Sequence, residues 1–172
     1  MSSAKKLEIP VEILQEVFFE AGLAGWVSGA KPTKLPEFPG SHQFRFEKQT
    51  KYGKVAVLDT YWAQEGSNVS WGFTNIHHND DIVWHMRYGG AYQKEAIVIV
   101  KQAIRRAYES KSQIFFGCRG VWSIASEGIW YRNVLTTNST FTKFSGKEKV
   151  INKNTYTSLG YHDYSGELIL LP

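Results

Sequence analysis

The sequence predicts an α+β fold: two tandem copies of one helix followed by a four-stranded antiparallel sheet, related by a pseudo-twofold axis. Three observations predict it. Two segments carry apolar residues at helical spacing, each is followed by a series of alternating strands, and short landmarks of the first series recur 74 to 76 residues later. A chain of 172 residues, 42% hydrophobic and 21% charged, can bury one real core and is too small for a large multidomain enzyme. The reading is therefore one domain over 1–172, with copies at 11–90 and 91–172.

Residues 11–24 place Ile13, Leu14, Val17, Phe18 and Ala21 on one side of a helix and Glu12, Glu16 and Glu20 on the other, with Gly22 and Gly25 ending it. Pro32, Pro36 and Pro39 make residues 30–40 an extended loop. Strands follow around Phe44 and Phe46, then at 55–62, 69–76 and 82–88, and Gly89 with Gly90 closes the series. A second helix over 93–109 buries Ile97, Val100, Ala103, Ile104, Ala107 and Tyr108. Strands resume at 121–124, 128–135, 141–151 and 156–164, with an apolar strand at 168–171. An offset of 74 places Gly72 on Gly146, and one of 76 places Tyr88 on Tyr164 and Gly90 on Gly166. A cleft between two such copies is the expected ligand site.

Strand alternation sorts side chains by face. Trp84, Met86 and Tyr88 share one face and His85 and Arg87 the other, while Asp163 occupies the position equivalent to Arg87. Asp59 sits on an otherwise apolar face with Val55, Val57 and Tyr61, so it needs a partner if buried; it reads either as a catalytic acid or, the favoured reading, as a carboxylate satisfied by an arginine or a tyrosine. Trp71 and Phe73 stand where the second copy has Ser145 and Lys147, so the proline-rich loop is expected to cover them, and the lysine series 143, 147 and 149 reads as a solvated face.

Composition excludes several classes. Twenty Lys and Arg against 16 Asp and Glu give a net charge of +4, a mild bias towards anionic ligands. The single Cys118 permits no internal disulfide or thiolate zinc site and suggests a cytoplasmic setting. No leader-like or membrane-length apolar run is read, so no membrane partner is expected. His77, His78, Asp80 and Asp81 surround a turn at Asn79-Asp80, which explains the cluster without a metal. No metalloprotease, P-loop, dinucleotide or serine-hydrolase motif occurs, and no cofactor is expected. The charge falls short of the excess of a dedicated nucleic-acid binder, and the basic side of the second helix, Lys101, Arg105 and Arg106, lacks interleaved aromatics, so nucleic acid is not an expected partner. The outlier is the 15% aromatic content, more than packing alone requires.

Asp59-x-Tyr61, Val83-Trp84-x-Met86-x-Tyr88-x-Gly90, Phe116-x-x-Arg119-Gly120, Tyr131-x-Asn133, Phe144-x-Gly146-x-Glu148 and Tyr161-x-x-Tyr164-x-Gly166 form a series. It resembles an uncharacterised bacterial family, a domain of unknown function found alone or behind a helix-turn-helix repressor domain. The similarity covers residues 10–170 and departs at His162 and in the turn at 152–154. It implies a fold without an assigned reaction, and the fused arrangement hints at ligand sensing.

The primary expectation is a non-enzymatic binding module for a small, planar, anionic, nucleotide-like ligand that it senses or sequesters. Trp84, Tyr61, Tyr131 and Tyr161 would stack on the ligand, Arg87 and Arg119 would meet phosphate or carboxylate, and Asp59 or Asp163 would accept from a base or sugar. One alternative is a metal-independent hydrolase or lyase with His162 as general base, oriented by Tyr164 or Asp163. Another is a protein-interaction subunit that forms a homodimer through Trp71 and Phe73.

Overall fold

A computed structural model describes residues 5–110 and 114–170. The chain opens with helix α1 (Val11–Gly22), which runs into a π-helical turn (Leu23–Val27). Strands β1 (Thr33–Lys34), β2 (Ser41–Thr50), β3 (Gly53–Ala63), β4 (Val69–His78) and β5 (Asp81–Tyr92) follow. After helix α2 (Ala96–Glu109) come β6 (Ser123–Ser126), β7 (Ile129–Leu135), β8 (Lys143–Asn152) and β9 (Ser158–Leu168). All nine strands join one antiparallel sheet in the order β1-β2-β3-β4-β5-β9-β8-β7-β6.

Both helices lie on one face of this sheet. In α2, Ala96, Ile99, Val100, Ala103, Ile104, Ala107 and Tyr108 are buried, the i, i+3, i+4, i+7, i+8 pattern of an apolar stripe. From α1, Leu14, Val17 and Phe18 enter the core. Phe18 packs against Trp84 at a ring separation of 5.2 Å, and Trp84 stacks on Phe141 at 4.9 Å while its indole N–H donates to the Phe141 carbonyl at 2.9 Å. Asn79 and Asp80, both at positive φ, turn β4 into β5, as a tight two-residue hairpin requires.

The sheet overturns the expected fold class. Two helix-plus-four-strand copies would each end at a strand of 11 or 12 residues with unpaired backbone, whereas β5 and β9 satisfy that hydrogen-bonding capacity in each other. The result is a sheet-dominated fold backed by two helices, not an internally duplicated α+β fold. The repeated tyrosines, Tyr88 and Tyr164, face each other across the β5–β9 ladder.

Other expectations also change. Gly89 and Gly90 do not end a strand, because β5 continues to Tyr92, and a side chain at Gly90 would strike the Tyr161 carbonyl and His162. The proline-rich loop leaves Trp71 53% exposed and stacked on Trp62 at 4.3 Å. Leu168 belongs to the end of β9, and the remainder of the expected 168–171 strand reaches Leu171, outside the described residues. Among the described residues no helix is long and apolar enough to cross a membrane.

Candidate functional site

The helix α1 does not end cleanly; it widens into a π turn in which Gly25 takes φ −93°, ψ −113°. Such turns interrupt the regular hydrogen-bond ladder and often lie at functional sites. A Cβ at Gly25 would sit 3.3 Å from the Phe44 ring, so glycine lets the turn lie against β2. A cavity of about 510 Å³ opens between this turn, strands β2 to β5 and the loop before β6, within the size range of small-molecule sites. Trp26, Phe44, Tyr61, Tyr88 and Tyr92 supply its aromatic walls.

Asp59, on the inner face of β3, lines this cavity. Its Oδ1 accepts hydrogen bonds from the Tyr88 hydroxyl at 2.7 Å and the Thr74 hydroxyl at 2.8 Å. No described residue donates to Oδ2, and that oxygen is not sealed from the cavity. Burial raises the Asp59 carboxyl above the usual carboxylate range, against the lowering effects of Tyr88, Thr74 and the Arg119 charge. The same burial, with the nearby Asp59 charge, raises the Tyr61 and Tyr88 hydroxyls.

A second carboxylate, Glu148 of β8, is fully buried and fully partnered. Arg119 donates to its Oε2 through Nε at 2.8 Å and Nη2 at 2.6 Å, Tyr92 donates to Oε2 at 2.8 Å, and Tyr131 donates to Oε1. Burial alone would raise this carboxyl, but the Arg119 charge and the hydrogen bonds outweigh it and hold Glu148 below its ordinary value. Arg119, 11% exposed, also lies over the Tyr88 ring at 5.7 Å and lines the cavity. Its loop is anchored from three sides. Asn133 donates to the carbonyls of Phe116 and Gly120 at 3.0 and 2.7 Å, Gly120 N–H donates to the Tyr131 hydroxyl, and Tyr108 donates to the Cys118 carbonyl.

His162 of β9 completes the wall between the two carboxylate centres. Its ring stacks on Tyr92 at 4.4 Å, Nε2 is 3.3 Å from the Ser70 hydroxyl, and Nδ1 has no hydrogen-bond partner. Burial, reinforced by the Arg119 charge, pushes its pKa down to about 3, so the imidazole is neutral near pH 7.

Of the residues expected at a site, Asp59, Tyr61 and Arg119 line this cavity together, and His162 joins them. Trp84 and Tyr131 do not: both are fully buried, Trp84 against Phe141 and Tyr131 on Glu148. Arg87, Tyr161 and Asp163 alternate to the opposite face of the sheet. There Arg87 donates to Ser165 at 3.0 Å and Asp163 pairs with Lys147 at 3.0 Å, so the two equivalent positions of opposite charge do not pair with each other. Neither residue expected to orient His162 does so, since Asp163 points away and Tyr164 donates to Asn133.

Glu148, Tyr92 and Trp26 were not expected at the site. Glu148 hides between Lys147 and Lys149, which reads as a charged surface run, yet Phe144, Gly146, Glu148 and Val150 alternate onto the buried face. That alternation was the available signal.

Among the described residues no group of three or more His, Cys, Asp or Glu side chains converges to hold a metal. The arrangement can stack a planar ring, accept hydrogen bonds at Asp59 Oδ2, and donate from Arg119, two of whose five N–H groups are used by Glu148. No family model, curated protein or solved structure matches the chain, so the family resemblance rests on its short motifs alone.

Proposed function

We propose that the chain is a non-catalytic binding module whose cavity holds a planar, nucleotide-like small molecule. The observation that carries this reading is the Asp59 carboxylate: one oxygen is held by Tyr88 and Thr74, and the other faces an aromatic-walled cavity without a partner from the protein. An acceptor fixed in that way suits a ring N–H or exocyclic amine, and leaving it unmatched inside a filled cavity is costly. Tyr61 and Phe44, stacked with rings 6.1 Å apart, supply apolar area for the ring. Lys31 lines the same cavity and would favour an anionic substituent on the ligand.

A reaction finds less support. The neutral His162 is a weak base, and no carboxylate orients its ring.

Native mass spectrometry of freshly purified protein, followed by thermal-shift measurements with nucleosides and nucleotides, tests the proposal. A co-purifying compound or a concentration-dependent rise in Tm, lost in Asp59→Asn, is expected. An empty protein whose Tm no member of the panel moves would overturn it.

A further inference from the structure

The sheet face turned away from the helices carries chemistry that the cavity does not use. The register aligns Tyr161, Lys149 and Arg132 in one row across β9, β8 and β7, and Gly89, Asp163, Lys147 and Val134 in the next across β5, β9, β8 and β7. Arg87 lies one step further along β5 on the same face. Of the four cations Arg87, Arg132, Lys147 and Lys149, only Lys147 has an ion-pair partner among the described residues, namely Asp163. Arg132 and Lys149 stand directly opposite each other, a like-charge pair that destabilises a ladder unless an external anion neutralises it.

Aromatic rings flank these charges. Trp71, 53% exposed, rises from β4 beside the bare backbone of Gly89, with Trp62 stacked flat behind it. Tyr161, 45% exposed, sits under the Lys147 ammonium at 6.0 Å. The face thus joins unneutralised positive charge to open ring surfaces. A second copy of the chain is a poor occupant, because apposing two such faces would oppose their cations. A duplex would satisfy the charges but hide its base faces from the rings.

We propose that this outer face binds single-stranded nucleic acid, with phosphates on Arg87, Arg132, Lys147 and Lys149 and bases stacked on Trp71 and Tyr161. The proposal is independent of the cavity's ligand, since these side chains lie on the other side of the sheet.

Fluorescence anisotropy with a labelled oligothymidylate of about 15 nucleotides, titrated at several salt concentrations, tests it. Combined Arg132→Gln and Lys149→Gln substitution is expected to weaken binding about tenfold or more and to reduce the steepness of the salt dependence by about 0.7 per cation removed. Because it relieves the Arg132–Lys149 opposition, this variant should melt no lower than the parent protein, which separates lost binding from lost folding. Trp71→Ala should weaken the oligonucleotide while leaving inorganic polyphosphate unaffected. Arg106→Glu, which changes the charge by as much as the double substitution but on the opposite side of the molecule, should alter affinity by no more than about twofold. Any of three results overturns the proposal: no binding at about 50 mM salt, affinity that survives the double substitution, or polyglutamate competing as well as the oligonucleotide with no effect of Trp71→Ala. The last would assign the face to acidic protein.

Discussion

Arg119 and Glu148 form an ion pair at 2.6 Å beneath the cavity floor, and Glu148 is wholly withdrawn from solvent. A charge in that position is tolerated only because Arg119, Tyr92 and Tyr131 all donate to it. The pair also holds the Arg119 loop against β7 and β8, so its primary effect is on the shape of the cavity. Arg119→Met is therefore expected to destabilise the protein by about 3–5 kcal/mol through the orphaned carboxylate. Adding Glu148→Gln should restore at least about 1 kcal/mol, because a neutral amide replaces the unpaired charge. Urea denaturation of both single variants and the double variant checks this, and simple additivity of the two substitutions would contradict it.

The same pair sets a pH dependence. Glu148 has a folded pKa below its unfolded value, so its stabilisation is present above the unfolded carboxylate range and is lost as pH falls through the folded pKa. In Arg119→Met that lowering cause is removed and burial dominates, so acidification should stabilise the variant relative to the parent.

His162 gives a separate acid response. Its folded pKa of about 3 lies below the ordinary value of 6.5, so the unfolded chain takes up the proton first and stability declines as pH falls from about 6.5 towards 3. Between pH 7 and pH 5 this single group should remove about 2 kcal/mol. Urea midpoints at the two pH values, compared with those of His162→Phe, isolate the contribution. An equal pH response in the two proteins would show that the imidazole is not held neutral by its surroundings.

Much of this arrangement was readable where one physical rule dominates. The α2 stripe follows helical period, the Asn79-Asp80 turn follows from residues that tolerate positive φ, and the placement of Asp59 on an apolar face follows from strand alternation. What failed depended on long-range pairing. Nothing local to β5 or β9 says that their edges join: two copies can pair their sheets across a pseudo-twofold axis, but the sequence alone predicts two four-stranded sheets where the molecule has one of nine strands. Gly90 resembles a strand terminator in sequence, but its role is to let another backbone approach, a fact carried by Tyr161 and not by its own neighbours. Trp84 and Tyr131 looked like ligand anchors because their polar tips need partners; those partners are Phe141 and Glu148, distant in sequence.

Two substitutions separate the site from the core. Trp84→Ala is expected to cost about 3–5 kcal/mol through the lost packing on Phe18 and Phe141. Asp59→Asn should cost no more than about 1 kcal/mol, since the amide oxygen can still accept from Tyr88 and Thr74. The second should abolish a ligand-induced Tm shift while the first lowers the baseline Tm. A ligand response that survives Asp59→Asn intact would place the binding determinant elsewhere.

Gly90 tests the junction on which the single sheet depends. It pairs with His162 across the β5–β9 ladder, and an added Cβ would fall onto the Tyr161 carbonyl and within 2.6 Å of the His162 ring. The carbonyl cannot withdraw without opening the ladder, because it belongs to the paired backbone of β9. Gly90→Ala is therefore expected to destabilise the protein by about 3 kcal/mol or more, at or beyond the upper end for overpacking, and to shift His162 off Tyr92. Amide hydrogen exchange would locate the damage: protection should fall first in β5 and β9, while β2, β3, β7 and the α2 core keep theirs. Uniform loss across the sheet would mean that β5 and β9 open only with the whole domain. Unchanged protection at the junction would mean that the close approach at Gly90 is not what limits the residue there.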